Sequence, residues 1–226
     1  MFKIDPKEFV FGRLKAISEA VNLICTNGTP GDMAEFGIMS GNSLQVIAAT
    51  MSACDPISER LGIPLRHFHG FDSFQGMPEA TLPGDIDSPM VQSGVWGPGT
   101  CSSPGLDAIL ALAKKQIAAD RIHLYPGWFA DTLPKIPDGT KFALIHLDCD
   151  FYESTMQVLD GLFGNDRLSD GCILLFDDYL ENRGSKKMGQ RKAWEECKIK
   201  YKPDFTDIGF YGKGCWHCVI HNNSQG

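Results

Sequence analysis

Two short acidic segments carry the most distinctive chemistry in the sequence. One is Leu147-Asp148-Cys149-Asp150 and the other Phe176-Asp177-Asp178-Tyr179, each ending an apolar run of strand length. If the runs are adjacent parallel strands, their ends lie about 5 Å apart and the four carboxylates converge. Acids crowded together raise one another's pKa values unless a cation intervenes. Hard carboxylate oxygens suit Mg²⁺, Mn²⁺ or Ca²⁺ better than zinc. Helix caps and solvated turns account for one or two such acids, but poorly for four.

Three further features have the character of a nucleoside site. The segment Glu35-Phe36-Gly37-Ile38-Met39-Ser40-Gly41-Asn42-Ser43 reads as a strand, a glycine turn and a helix start, presenting unpaired backbone N–H groups to a ligand. Its G-x-x-x-G is neither the dinucleotide fingerprint nor a P-loop, so by itself it is equally a simple turn. Asp72 closes a second strand, where an acid can accept from both ribose hydroxyls or merely cap the next turn. Gly127-Trp128-Phe129 follow a third strand and could flank a flat base, although aromatic residues more often fill a core.

The elements that must position these residues alternate along the chain. Asp5-Pro6 marks a helix start, and Leu14, Ile17, Val21 and Ile24 share a face until Asn27-Gly28 stops it. Strands are expected at 32–37, 67–72, 121–125, 142–148, 172–176, 208–211 and 216–221, with further helices at 43–53, 104–119, 154–162 and 190–200. Such alternation builds a mostly parallel sheet with helices on both faces. Ligands then sit beyond the carboxyl ends of the strands, where the glycine and acid features fall. Residues 73–104 read as a loop rich in Gly, Pro and Ser, long enough to be a working lid.

Composition narrows the class. At 226 residues and 43% hydrophobic, residues 1–226 suit one large α/β domain with an N-terminal helical region over 1–30. A formal charge of −7 argues against nucleic acid and against an anionic membrane surface. The start, Met1-Phe2-Lys3-Ile4-Asp5-Pro6, lacks the apolar stretch of a signal peptide, so a cytoplasmic protein is expected. Among eight cysteines, Cys215-Trp216-His217-Cys218 has metal-knuckle spacing, but no second pair accompanies it and structural thiols are expected.

Taken together the motifs resemble the TylF/MycF family of sugar O-methyltransferases, the group containing macrocin O-methyltransferase. The resemblance is carried in order by Gly31–Leu44, Phe71-Asp72-Ser73-Phe74-Gln75-Gly76-Met77-Pro78, Gly127-Trp128-Phe129-Ala130-Asp131-Thr132-Leu133-Pro134, His146–Thr155 and Gly171–Tyr179. It implies a Rossmann-like class I methyltransferase fold with six parallel strands and one antiparallel. It also implies S-adenosylmethionine (SAM) as cofactor, with the methionine part at the Gly37–Ser43 turn, Asp72 at the ribose hydroxyls and Gly127–Trp128 by the adenine; Ser73 and Phe129 are further cofactor-binding candidates. Mg²⁺ would be held by Asp148, Asp177 and Asp178, Asp148 serving also as general base; Asp150 is the alternative first ligand. The implied partner is a small-molecule hydroxyl acceptor, most naturally a sugar of a glycosylated natural product, and relatives assemble into homo-oligomers. The segment 81–104 and the turn Met39–Asn42, which lacks the arginine of many relatives, depart from the pattern and leave the acceptor open. Rival readings are a catechol-type O-methyltransferase, a D-x-D glycosyltransferase using Asp148-Cys149-Asp150, and a binding module without catalysis.

Overall fold

In this computed structural model, which describes residues 6–222, the strands assemble into one seven-stranded sheet. They are β1 (Asp32–Phe36), β2 (Phe68–Asp72), β3 (Ile122–Pro126), β4 (Phe142–Leu147), β5 (Leu168–Phe176), β6 (Asp204–Tyr211) and β7 (Cys215–His221). Their order across the sheet is β3-β2-β1-β4-β5-β7-β6, with β7 antiparallel to both its neighbours and β1 to β5 paired in parallel. The order reverses between β1 and β4, which opens a crevice at the carboxyl edge.

The helices are α1 (Pro6–Asn27), α2 (Asn42–Leu61), α3 (Pro83–Ile86), α4 (Pro89–Gln92), α5 (Leu106–Ala113), α6 (Phe129–Thr132), α7 (Tyr152–Phe163) and α8 (Gly189–Tyr201). Ile17, Val21 and Ile24 of α1 pack with Leu44 and Ile47 of α2 and Ile109 of α5 on one face of the sheet. Val158 and Leu162 of α7 and Trp194 and Cys197 of α8 pack against Phe36, Phe142, Ile145 and Leu174 on the other. Covered on both faces, β4 is buried along its whole length, which explains its unbroken apolar sequence. Asp5, expected to cap α1, lies outside the described residues. No helix among those described is long and apolar enough to cross a membrane.

Several boundaries differ from the sequence expectation for identifiable reasons. Helix α2 continues through Pro56 to Leu61 instead of ending near 53. Buried Cys54 and Ser58 hold its last turns, and Asp55 accepts two hydrogen bonds from Arg121 at 2.6 and 2.9 Å. It stops at Gly62, whose φ of 68° lies in the left-handed region that glycine adopts without strain. Strand β5 begins at Leu168, four residues early, because its pairing with β4 continues past a register shift that the polar Ser169-Asp170-Gly171 disguises. Helix α5 ends at Ala113, short of 119, and β6 starts at Asp204 rather than 208. Cys215 and Cys218 are free and buried in separate cores on opposite faces of the sheet, so their knuckle spacing builds no joint site.

The segment 73–104 is not structureless. It carries α3 and α4 and a small core in which Met77 and Trp96 pack on Phe151. Buried Asp85 accepts from the backbone N–H groups of Tyr152 (2.6 Å) and Glu153 (3.0 Å), so the lid caps the first turn of α7. Ser88 donates to Asn182 Oδ1, and Thr81 donates to Glu153 Oε2 at 2.9 Å. Replacing Asp85 with Ala should cost about 0.5–2 kcal/mol, the range for a lost helix cap. Asp85→Asn, which keeps an acceptor, should cost less. A thermal melt of the two variants beside the parent checks the order, and equal melting temperatures would refute the capping role.

Candidate functional site

The site is built by tying the strand tips together one after another. Gly37 N–H donates to Phe71 O, Gly127 N–H to Asp72 O, Asp148 N–H to Phe36 O and Asp177 N–H to Leu147 O, each at 2.9 Å. The tip of β1 approaches that of β4 so closely that a Cβ on Gly37 would lie 1.8 Å from Asp148 O, and Gly37 itself has a φ of 90°. Only glycine fits there. Buried Gln190 of α8 adds a second tie, donating to Leu147 O at 3.0 Å and accepting from Asp178 N–H at 2.9 Å.

A cavity of about 430 Å³ opens at this edge, within the size range of small-ligand sites. Of the residues expected around the cofactor, Gly37, Met39, Asp72, Ser73, Gly127, Trp128 and Phe129 line it together with Asp148. Glu35, Ser40, Gly41, Asn42 and Ser43 are not among its lining, nor are Asp177 and Asp178. The Asp72 carboxylate already accepts from the backbone N–H groups of Ile38 (2.8 Å), Met39 (3.0 Å) and Phe74 (2.6 Å), which shapes the glycine turn around it. The lid's Met77, Glu79 and Thr81 and the α7 residues Glu153, Ser154 and Gln157 also line the cavity. Met77, Glu153 and Ser154 fall in segments that carry the family resemblance, but none is singled out there as a site residue; the lid residues reach the cavity because the lid folds back onto α7.

Behind the cavity runs a buried polar chain. Ser43 donates to Glu35 Oε1, which also lies 3.0 Å from His146 Nδ1. His146 Nε2 lies 3.5 Å from Asp177 Oδ1, and Arg13 of α1 donates to Asp177 Oδ2. Tyr211 OH also donates to Asp177 Oδ1, at 3.5 Å. Glu35 and His146 are register partners on β1 and β4, so they share a sheet face, the face covered by α1. Burial opposes a charge on His146, but its bonds to Asp177 and Glu35 prevail and push it up to about 10. Burial likewise opposes ionisation of Asp177, yet His146 and Arg13 hold it below the usual carboxylate range. Thus Asp177 is the settled anion of the cluster.

The remaining carboxylates are under strain. Asp148 and Asp178 are pushed well above the ordinary range by burial and then by neighbouring carboxylates. Asp150 is pushed up to about 7 by burial, then by Asp177 and Glu181. Its backbone has a φ of 56°, closing a turn in which Phe151 N–H donates to Cys149 O at 2.5 Å. Such a conformation is uncommon outside glycine and is held by its surroundings. Asp178 Oδ2 is buried with no hydrogen-bond partner among the described residues. Donor atoms of His146, Asp148 and Asp177 lie within 4.8 Å of one another. An orphaned carboxylate oxygen beside crowded acids fits a hard divalent cation.

The strand order, the antiparallel β7 and a cavity at the β1/β4 switch point define a Rossmann-like class I methyltransferase fold. Residues 11–202 match the family described as Macrocin-O-methyltransferase (TylF), and the chain belongs to that family. A curated relative from Streptomyces olivaceus, 8-demethyl-8-(2,3-dimethoxy-alpha-L-rhamnosyl)-tetracenomycin-C 4'-O-methyltransferase, is 32% identical over 176 residues, 74% of this chain and 60% of the relative. The match thus spans well under two thirds of that relative's length. Among solved structures, the O-methyltransferase NovP superposes with a TM-score of 0.71 at 23% identity, covering 93% of this chain and 80% of NovP. The Bacillus cereus O-methyltransferase solved in complex with SAH superposes with a TM-score of 0.57 at 12% identity, covering 97% of this chain and 83% of that one.

The contact of Gly37 with Asp148 is directly testable. Gly37→Ala should destabilise the fold by about 3 kcal/mol or more, from backbone strain and overpacking together. The urea unfolding midpoint reports it, and a midpoint equal to the parent's would show that the two strand tips are not in contact.

Proposed function

We propose that this chain transfers the methyl group of SAM to a hydroxyl of a small-molecule acceptor, most naturally a sugar of a glycosylated natural product. The observation that carries the reading is the single cavity in which the Gly37 turn, Asp72 and Gly127–Phe129 face Asp148 and Asp150 at the carboxyl edge of the sheet. The family membership and the sugar-modifying relative support the same chemistry. The cofactor's methionine portion would run along the Gly37–Ser43 turn, its ribose against Asp72 and Ser73, and its adenine by Trp128.

In the reaction the acceptor hydroxyl gives its proton to the Asp148 carboxylate while its oxygen attacks the sulfonium methyl. The carbon–sulfur bond breaks, its electron pair stays on sulfur, and S-adenosylhomocysteine (SAH) leaves as the thioether. Asp148 would act as the base in its ionised form, which burial and the neighbouring acids oppose and a cation at the site would favour. Most of the acceleration would come from alignment, and the lid packed on Phe151 would exclude water from the site when closed over the substrates. Asp148, Asp177 and Asp178 would hold Mg²⁺, with Asp150 as the alternative first ligand; the bound metal would polarise and position the hydroxyl.

A glycosyltransferase reading is disfavoured by the lining itself. Among the described lining residues there is no Lys, Arg or His to offset a nucleotide diphosphate, while Asp72, Glu79, Asp148, Asp150 and Glu153 all face inward. A phenolic acceptor would use the same groups, and parallel assays on a glycoside and a catechol distinguish the two.

Calorimetric titration with SAH should give micromolar binding to the parent protein. Asp148→Asn should leave that binding intact and lower methyl transfer by about 10²–10⁴-fold, the range for a lost general base. Full activity in the variant would remove Asp148 from the mechanism. Binding of a UDP-sugar but not SAH would overturn methyl transfer altogether.

A further inference from the structure

Arg13 stands inside the acid site without a part in the reaction described above. We propose that Arg13 is a built-in counter-cation of the aspartate site, which holds Asp177 and Asp148 and competes with a divalent metal for them. The inference rests on the metal-assisted reading of the site. Its geometry is specific: Nη1 of Arg13 donates to Asp177 Oδ2 and lies 3.8 Å from Asp148 Oδ2. These are two of the three carboxylates assigned to the metal. The other oxygen of Asp177 faces His146 Nε2 at 3.5 Å. The guanidinium therefore already occupies one oxygen of Asp177 beside Asp148, and a metal arriving at the same carboxylates meets its positive charge.

The surroundings suit a competitor better than a passive anchor. Arg13 is one turn before Ile17, and Ile17, Val21 and Ile24 fix α1 in the core, so the helix is placed without help from the ion pair. The Arg13 side chain keeps 31% of its surface exposed, against 2% for Asp177, so it is the more solvent-accessible member of the pair. A guanidinium also keeps its charge at any working pH, so the competition is not relieved by deprotonation. What it leaves for the metal is Asp178, with its unpartnered buried Oδ2, and whichever carboxylates Arg13 releases. An anchor would be indifferent to metal; a competitor weakens its binding.

The test is Mn²⁺ binding to the whole chain, followed by calorimetry and by the metal's electron-spin resonance, for the parent, Arg13→Gln and Arg13→Lys. Glutamine keeps a polar side chain without the charge, and should tighten Mn²⁺ binding about tenfold, which corresponds to roughly 1.4 kcal/mol. The rise in melting temperature on adding Mn²⁺ should grow with it. Lysine keeps the charge but not the forked donor, and should fall between the two. SAH binding, measured on each protein without metal, reports that the variant is folded. Unchanged or weaker Mn²⁺ binding in a Gln variant that still takes SAH overturns the proposal. If the Gln variant does not fold, unchanged Mn²⁺ binding by the Lys variant overturns it equally. Absence of Mn²⁺ binding to every form, with SAH bound normally, overturns this inference and the metal-assisted reading but leaves methyl transfer standing. Failure of the parent to bind SAH strikes methyl transfer itself.

Discussion

Crowding several carboxylates at one sheet edge is the constraint to which the rest of the molecule answers. Asp148, Asp150, Asp177 and Asp178 end two neighbouring parallel strands, and nothing in the sheet separates them. Left alone they would take up protons, as the upward displacement of three of them indicates. Asp177 escapes because its charge is met from both sides, by His146 from the adjacent strand and by Arg13 from α1. The cluster is thus divided into one anion stabilised by the fold and three acids whose charge depends on what else is bound.

That division gives the two faces of the sheet different duties. The face under α1 and α2 carries the polar chain from Ser43 through Glu35 and His146 to Asp177, entirely within the protein. It ties the turn after β1 to the tip of β5, with Glu35 Oε2 left buried and unpartnered among the described residues. The opposite face carries Gln190, which bridges the tips of β4 and β5. Between these two supports, the backbone ties from strand to strand leave the tips little freedom. The cavity walls are therefore set before any ligand arrives, which is what a reaction governed by alignment needs.

The lid obeys a different logic. Its contacts are a cap on α7, a few side-chain hydrogen bonds and a small cluster about Trp96, not a continuation of the main cores. Elements held by so few apolar contacts open at lower free energy than core strands. The same segment contributes Met77, Glu79 and Thr81 to the cavity, so the part best able to move is also part of the cavity wall.

Much of this was legible in the sequence, where the signal was local. The apolar run of Phe142–Leu147, the glycine at 37 and the acids closing strands announced a parallel sheet and its working edge, because burial and tight turns act on adjacent residues. Asp72, Gly127, Trp128 and Asp148 were likewise found from their positions after strands. What only the tertiary structure decided was how each charge is met. Arg13 reaches Asp177 across 164 positions and His146 reaches Glu35 across 111, pairings for which no spacing rule exists. Glu35 meets His146 because β1 and β4 pair in that register, and Ser43 at the start of α2 donates to the same carboxylate. The lid's route over α7 is also invisible in composition. Local patterning determines which elements form and where their ends lie; electrostatic partners are chosen only when distant elements pack together.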